Sequence, residues 1–358
     1  MSKQAKRECP IRKTSIGGQA LMEGIMMRGP EKCAMAVRRQ NGEIVFEQEG
    51  IQKKKRPAFT RWPIIRGVFG FIDSMVMGYK YLMRSAEIAM EDMDVEAKGD
   101  EPSVSPSDEE KVQKEETVQE IATASEVQEK PKGAFTKGAM AAIMTIATVL
   151  GVGLAIGLFV WLPSFLYSLL EDHVLPRGLA RNRYLRSVFE GLLKIAILVA
   201  YMALVSLMKD IRRTFMYHGA EHKTIFCYEN GLPLTVENVR LQRRFHPRCG
   251  TSFLILMLIV SIVIGLFIPI DIRGINDIAY TFIRAFIKLL LIPLTMGVGY
   301  ELLKLAGRHD NLFTRIISAP GMWLQRITVL EPTDDMIECA IAAMTKAIPD
   351  DGSDRIGQ

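Results

Sequence analysis

Charge is missing where a soluble domain would carry it. No charged residue lies between Lys137 and Glu171, over 33 positions, and none between Arg248 and Asp271, over 22. Each run exceeds the roughly 20 apolar residues that cross a bilayer core, which excludes a wholly soluble fold. Segments 188–208 and 282–303 are also apolar, with Glu190, Lys194, Arg284 and Lys288 near one end. Long cations placed there reach the interface. The predicted fold is an α-helical polytopic membrane protein with about four transmembrane helices and a small N-terminal β-containing cytoplasmic unit.

Other absences narrow the reading. The start, Met1 to Pro10, lacks the apolar core of a signal peptide. Cysteine occurs five times, at 9, 33, 227, 249 and 339. An odd number on a reducing side argues against a disulfide framework and leaves buried apolar groups or soft metal ligands. No phosphate loop and no internal repeat is present. Cations fix the orientation: loop 209–248 and tail 304–358 hold fourteen Lys and Arg, the opposite loops 171–187 and 271–281 five. The bias predicts a multi-pass protein of the cell membrane with both termini and loop 209–248 in the cytoplasm.

Five segments follow. Residues 1–57 form the β-containing unit, with turns expected at Gly17-Gly18 and Arg28-Gly29-Pro30. A tight hairpin is expected at Asn41-Gly42, where both central residues need positive φ. Met22, Met26 and Met27 read as core filler. Residues 58–90 are apolar but broken by Arg66, Asp73, Lys80 and Arg84, which suits an interfacial or protein-packed helix. Residues 91–137 form a linker. Its 91–132 stretch carries 14 acidic and 5 basic groups and cannot bury enough apolar area to offset ordering entropy, so disorder is expected. Residues 138–303 form the membrane domain, with a cytoplasmic loop at 209–251. Residues 304–358 form a C-terminal cytoplasmic segment with a short helix from Met336 to Ile348 after the Asp334/Asp335 cap region.

Histidine is scarce as well. Of five in the chain, three fall in Tyr217-His-Gly-Ala-Glu-His-Lys223 and His246-Pro-Arg-Cys249. On a helix His218, Glu221 and His222 share one face. The H-x-x-E-H order matches inverted zinc peptidases, two histidines binding metal and the glutamate acting as base. A catalytic zinc takes three protein ligands and keeps a position for water. The predicted ligands are therefore His218, His222 and His246, with Cys249 as a possible fourth and Glu221 as catalytic base; the cofactor is a divalent metal ion, zinc first. Bland readings stand beside these. In them the histidines are hydrogen-bonding groups, Glu221 supports a ligand histidine or pairs with Lys223 or an arginine, and His246–Cys249 only introduces the third membrane helix, with Thr251 or Ser252 as cap. Glu301, beside Lys304, is a reserve ligand, and Glu23 a weaker candidate.

The stretch Gly17-Gly-Gln-Ala-Leu-Met-Glu-Gly-Ile-Met-Met-Arg-Gly-Pro30, with the two histidine motifs, Trp323-Leu-Gln-Arg-Ile-Thr328 and Glu331-Pro332, resembles the bacterial YqhQ-like DUF1385 membrane protein family. The similarity covers nearly all the chain outside the acidic linker. It implies a metal-dependent membrane enzyme without an established substrate. Three function classes follow. First stands a zinc-dependent hydrolase, a peptidase near the membrane surface. Second is a non-enzymatic scaffold or assembly factor with a structural metal. Last is a transporter, because few intramembrane polar groups line a path. Membrane lipid is the expected partner. Nucleic acid is not, because positive-inside bias and anionic headgroups account for the basic loop.

Overall fold

The first strands show no clean polar alternation, and the reason is that their sheet is covered on both faces. A computed structural model describes residues 13–51, 56–99, 137–176, 179, 182–267, 277–309 and 311–355. In it β1 (Gly17–Leu21), β2 (Gly24–Arg28), β3 (Lys32–Arg38) and β4 (Ile44–Gly50) form an antiparallel meander in that order. Helix α1 (Ile65–Gly99) lays Tyr81 and Ile88 on one face, against Leu21, Met26, Cys33, Met35 and Val37. The other face carries Ile25, Met27, Ala34 and Ala36 and meets two helices described below. Met26 and Met27 are buried core, whereas Met22 is exposed, a correction to its reading as filler.

Two turns differ from expectation. Gly17-Gly18 opens β1 instead of turning. The chain reverses at Met22-Glu23, where Glu23 takes φ 50°. The β3–β4 connection runs from Arg39 to Glu43, and only Gly42 of the expected pair has positive φ, 86°. Backbone bonds close the loop, Gly42 N–H to the Arg39 carbonyl at 3.0 Å and Arg39 N–H to the Glu43 carbonyl at 2.8 Å, and the Asn41 side chain adds a bond from the Glu43 N–H at 2.9 Å.

Three helices are long and apolar enough to cross a membrane among the described residues: Thr145–His173, Tyr184–Val205 and Gly250–Phe267. The first comprises the end of α2 (Lys137–Ile156), a π-helical turn at Gly157–Trp161, and α3 (Leu162–His173). The second lies in α4 (Arg183–Val205), whose start is capped by the Asn182 side chain. The fourth expected span, 282–303, is not one helix. It breaks at Leu291 into α8 (Asp277–Leu290) and α9 (Ile292–Arg308). Pro293 is the cause, since it cannot donate to the carbonyl four residues back.

Between the membrane helices come α5 (Lys209–Glu229), α6 (Val236–Arg240) and α7 (Gly250–Phe267), the third candidate span. After α9 follow α10 (Leu312–Thr328) and α11 (Asp334–Ala347). Helix α5 is the axis of the polar half. It is buried almost continuously from Tyr217 to Glu229, between the sheet and α11. Helix α7 packs on α4, α9 and α10. Segment 58–90 lies against protein: Gly67 and Gly70 admit the Tyr300 ring of α9, and Gly78 admits Gln19 of β1. Residues 91–99 continue α1, and the remainder of the acidic linker, 100–136, lies outside the described residues, as do 1–12 and 268–276.

Candidate metal centre

Helical spacing brings His218 and His222 together, with ring centroids 4.5 Å apart. Cys249, at the start of α7, completes the group: one ligand atom from each of the three lies within 4.8 Å of the others. The second nitrogen of each ring is anchored. His218 Nδ1 faces the Thr328 carbonyl at 2.9 Å, and His222 Nδ1 faces the Arg244 carbonyl at 2.5 Å. A carbonyl only accepts, so each Nδ1 carries the proton and each Nε2 keeps its lone pair. Backbone anchoring of this kind is how metal-binding imidazoles are oriented.

The distances suit a small ion. His218 Nε2 lies 3.1 Å from Cys249 Sγ. In a tetrahedral zinc site the corresponding N···S edge is about 3.5 Å, from bonds of about 2.0 and 2.3 Å. An opening of a few tenths of an ångström would suffice. Sγ also accepts the Thr251 backbone N–H at 3.4 Å.

His246 does not join this group. Its Nδ1 accepts the Arg248 backbone N–H at 3.2 Å, which leaves Nε2 facing Glu229 Oε2 at 3.9 Å. Nε2 also lies 3.4 Å from Arg248 Nη2, and neither nitrogen is among the atoms that converge with His218, His222 and Cys249. Burial holds His246 down at about 4, with Glu229 opposing the shift. For Glu229, burial is outweighed by His246, Arg248 and the Thr14 N–H, and its carboxyl stays below the ordinary range. Arg248 donates to Glu229 and to the Thr14 carbonyl, and Thr14 donates to Asp354 at 2.6 Å. Both ends of the described chain are thereby tied to the loop that carries Cys249.

Glu221 is buried between α5 and β1. Its Oε1 accepts the Gly18 N–H at 3.1 Å, while Oε2 has no hydrogen-bond partner. Burial pushes its carboxyl above the ordinary carboxylate range, against the lowering influence of His218 and the Gly18 N–H. Gly18 is required here, since a Cβ would stand 2.9 Å from Cγ and Cδ of Glu221. Lys223 does not pair with Glu221. It is buried on the Arg240 carbonyl and on Glu331, which also receives Arg244 at 3.5 Å. Glu301 is held by Arg66 through two bonds of 2.6 and 2.5 Å, and Glu23 by Arg213 through two of 2.5 Å. Both carboxylates belong to other elements' contacts and lie outside the group.

Sequence reasoning gave no role to Gln325 or Glu229. Glu229 had a signal, because 218, 222, 225 and 229 recur on one helical face. Gln325 is fully buried and reads the His246 backbone twice, accepting its N–H and donating to its carbonyl, both at 2.8 Å. Gln325→Leu strands both groups, at about 1–3 kcal/mol each. Thermal unfolding in detergent should fall clearly, and an unchanged midpoint would show that this clamp carries no stability.

A family model described as a protein of unknown function, DUF1385, matches residues 62–350. The uncharacterized protein YqhQ of Bacillus subtilis (strain 168) is 30% identical over 338 residues, covering 93% of this chain and 92% of the relative. No solved structure matches.

Proposed function

The chain belongs to the DUF1385 family, and from that premise we propose that it is a metal-dependent hydrolase of the membrane surface, acting as a peptidase. The metal, zinc first, is held by His218, His222 and Cys249, and Glu221 is the base. One observation carries this reading. Two imidazoles and a thiol, all zinc-ligating groups, converge within 4.8 Å, and Glu221, the sequence neighbour of His222, is buried with its second carboxylate oxygen unpartnered. When bound, zinc supplies Lewis acidity and lowers the pKa of its water to about 7. The chain's own groups do the rest. The Thr328 and Arg244 carbonyls hold the two rings in register, and Glu221 Oε2 is free to receive a proton at a site screened from solvent. The fourteen-to-five cation bias supports a multi-pass arrangement with the cluster and both termini on the cytoplasmic side.

Glu221→Gln keeps the shape and removes the base. Metal content should remain that of the wild type, while the hydrolysis it supports drops about 100-fold or more. The readout is the set of new peptide N-termini in membranes carrying either form. Identical sets would sink the peptidase reading. A second reading, a scaffold stapled by a structural metal, draws support from the Thr14–Arg248–Glu229 network, which joins distant segments around the cluster. It predicts that Glu221→Gln changes neither peptides nor metal.

A further inference from the structure

Helix α10 has an outward face that no part of the described protein covers. Leu312 is 75% exposed, Phe313 57%, Ile316 62% and Trp323 72%. Leu312, Ile316 and Trp323 are separated by four and seven residues, which puts them on one stripe. The inward face, Thr314, Gly321, Leu324, Gln325 and Thr328, is buried. Gly321 lets the helix press on Ser252, where a Cβ would come within 2.4 Å of the serine Cβ.

Depth can be read twice, on the two candidate spans that α10 touches. Leu324 packs against Ile255 and Leu198. Ile255 lies five residues inside the start of its span at Gly250, and Leu198 seven inside the end of its span at Val205. At 1.5 Å per residue these are about 8 and about 10 Å. Amphipathic helices at a membrane surface bury their apolar face about 5–10 Å into the headgroup–acyl boundary. The two rulers agree with each other and with that depth.

We propose that α10 is a membrane-interface helix, with Leu312, Phe313, Ile316 and Trp323 seated in bilayer lipid. The occupant is lipid because the helix that carries the stripe packs on two candidate spans, on which Leu204 and Leu254 are likewise exposed. Trp is enriched at this level of a membrane. Arg326 is exposed beside it, its guanidinium 5.7 Å over the Trp323 ring, placed to reach headgroup phosphate. The seat matters for the cluster, because Thr328 ends the same helix and its carbonyl holds His218. If the hydrolase reading above holds, its substrates are membrane-embedded or lipid-anchored chains that reach the headgroup plane. The seat itself does not depend on that reading.

The test uses the full chain in phosphatidylcholine–phosphatidylglycerol vesicles. It has three tryptophans, at 62, 161 and 323, so Trp62→Phe with Trp161→Phe isolates Trp323. Quenching should be strongest with lipid brominated near the top of the acyl chain, at a depth of about 5–10 Å, and aqueous iodide should quench several-fold less than in the denatured chain. Wild-type protein labelled with a lipid-soluble diazirine gives a second reading free of substitution. Peptides from 312–326 should take up label at the level of those from 250–267. Iodide-accessible Trp323 with unlabelled 312–326 peptides overturns the proposal, as do cross-links joining this stripe to a second copy.

Discussion

His218→Ala, His222→Ala and Cys249→Ala should each empty the centre, while His246→Ala leaves it occupied. The first three remove a donor whose atom lies within the 4.8 Å group. Losing a supporting partner of a ligand typically costs about 10–100-fold in metal affinity, and losing one of three ligands should cost more. His246 is different because Arg248 and Glu229 already occupy its nitrogens. Its loss removes packing against Phe226 and His222, so stability falls while metal stays. Elemental analysis of the four purified proteins separates the cases. Metal retained in Cys249→Ala and lost in His246→Ala would restore the ligand set expected from sequence and refute the one read from geometry.

Gly219→Ala should be the most damaging alanine substitution among the described glycines. A Cβ at 219 would stand 1.9 Å from the Leu330 carbonyl oxygen. The obstacle is backbone on both sides, because Leu330 N–H is itself bonded to the Phe215 carbonyl at 2.9 Å. No flexible side chain can yield, so one segment must move off the other. Overpacking costs about 1–3 kcal/mol and occasionally more, and this contact belongs at the upper end. The displacement also carries Thr328 away from His218 Nδ1. Lower thermal stability and lower metal content should therefore appear together. A stable Gly219→Ala protein with full metal would mean that the close approach does not position the ring.

Part of this site is written in local spacing. An α-helix fixes the separation of residues four apart, so the pairing of His218 and His222 follows once α5 is recognised. The uncharged runs likewise mark the spans beginning near 145 and at 250, because hydropathy needs no partner to be read. What decides between His246 and Cys249 is long-range. The turn at Pro247-Arg248 aims one towards Glu229 and the other towards His218, and Gln325, far along the chain, holds that turn. The meaning of Gly219 depends on Leu330, and that of Gly18 on Glu221. The 282–303 segment is apolar enough to read as a span, yet Pro293 divides it, and composition averaged over a window does not register one missing N–H. The β unit is legible from its turn residues, but its strand limits are not. Its two covered faces erase the alternation that would have marked its strands.

X-ray absorption at the edge of the bound metal, on wild-type protein purified without chelator, tests the central claim most directly. The account predicts about one ion per chain with two nitrogen neighbours near 2.0–2.1 Å, one sulfur near 2.3 Å and a further light atom. A shell of nitrogen and oxygen without sulfur, or protein that holds no transition metal, would contradict it.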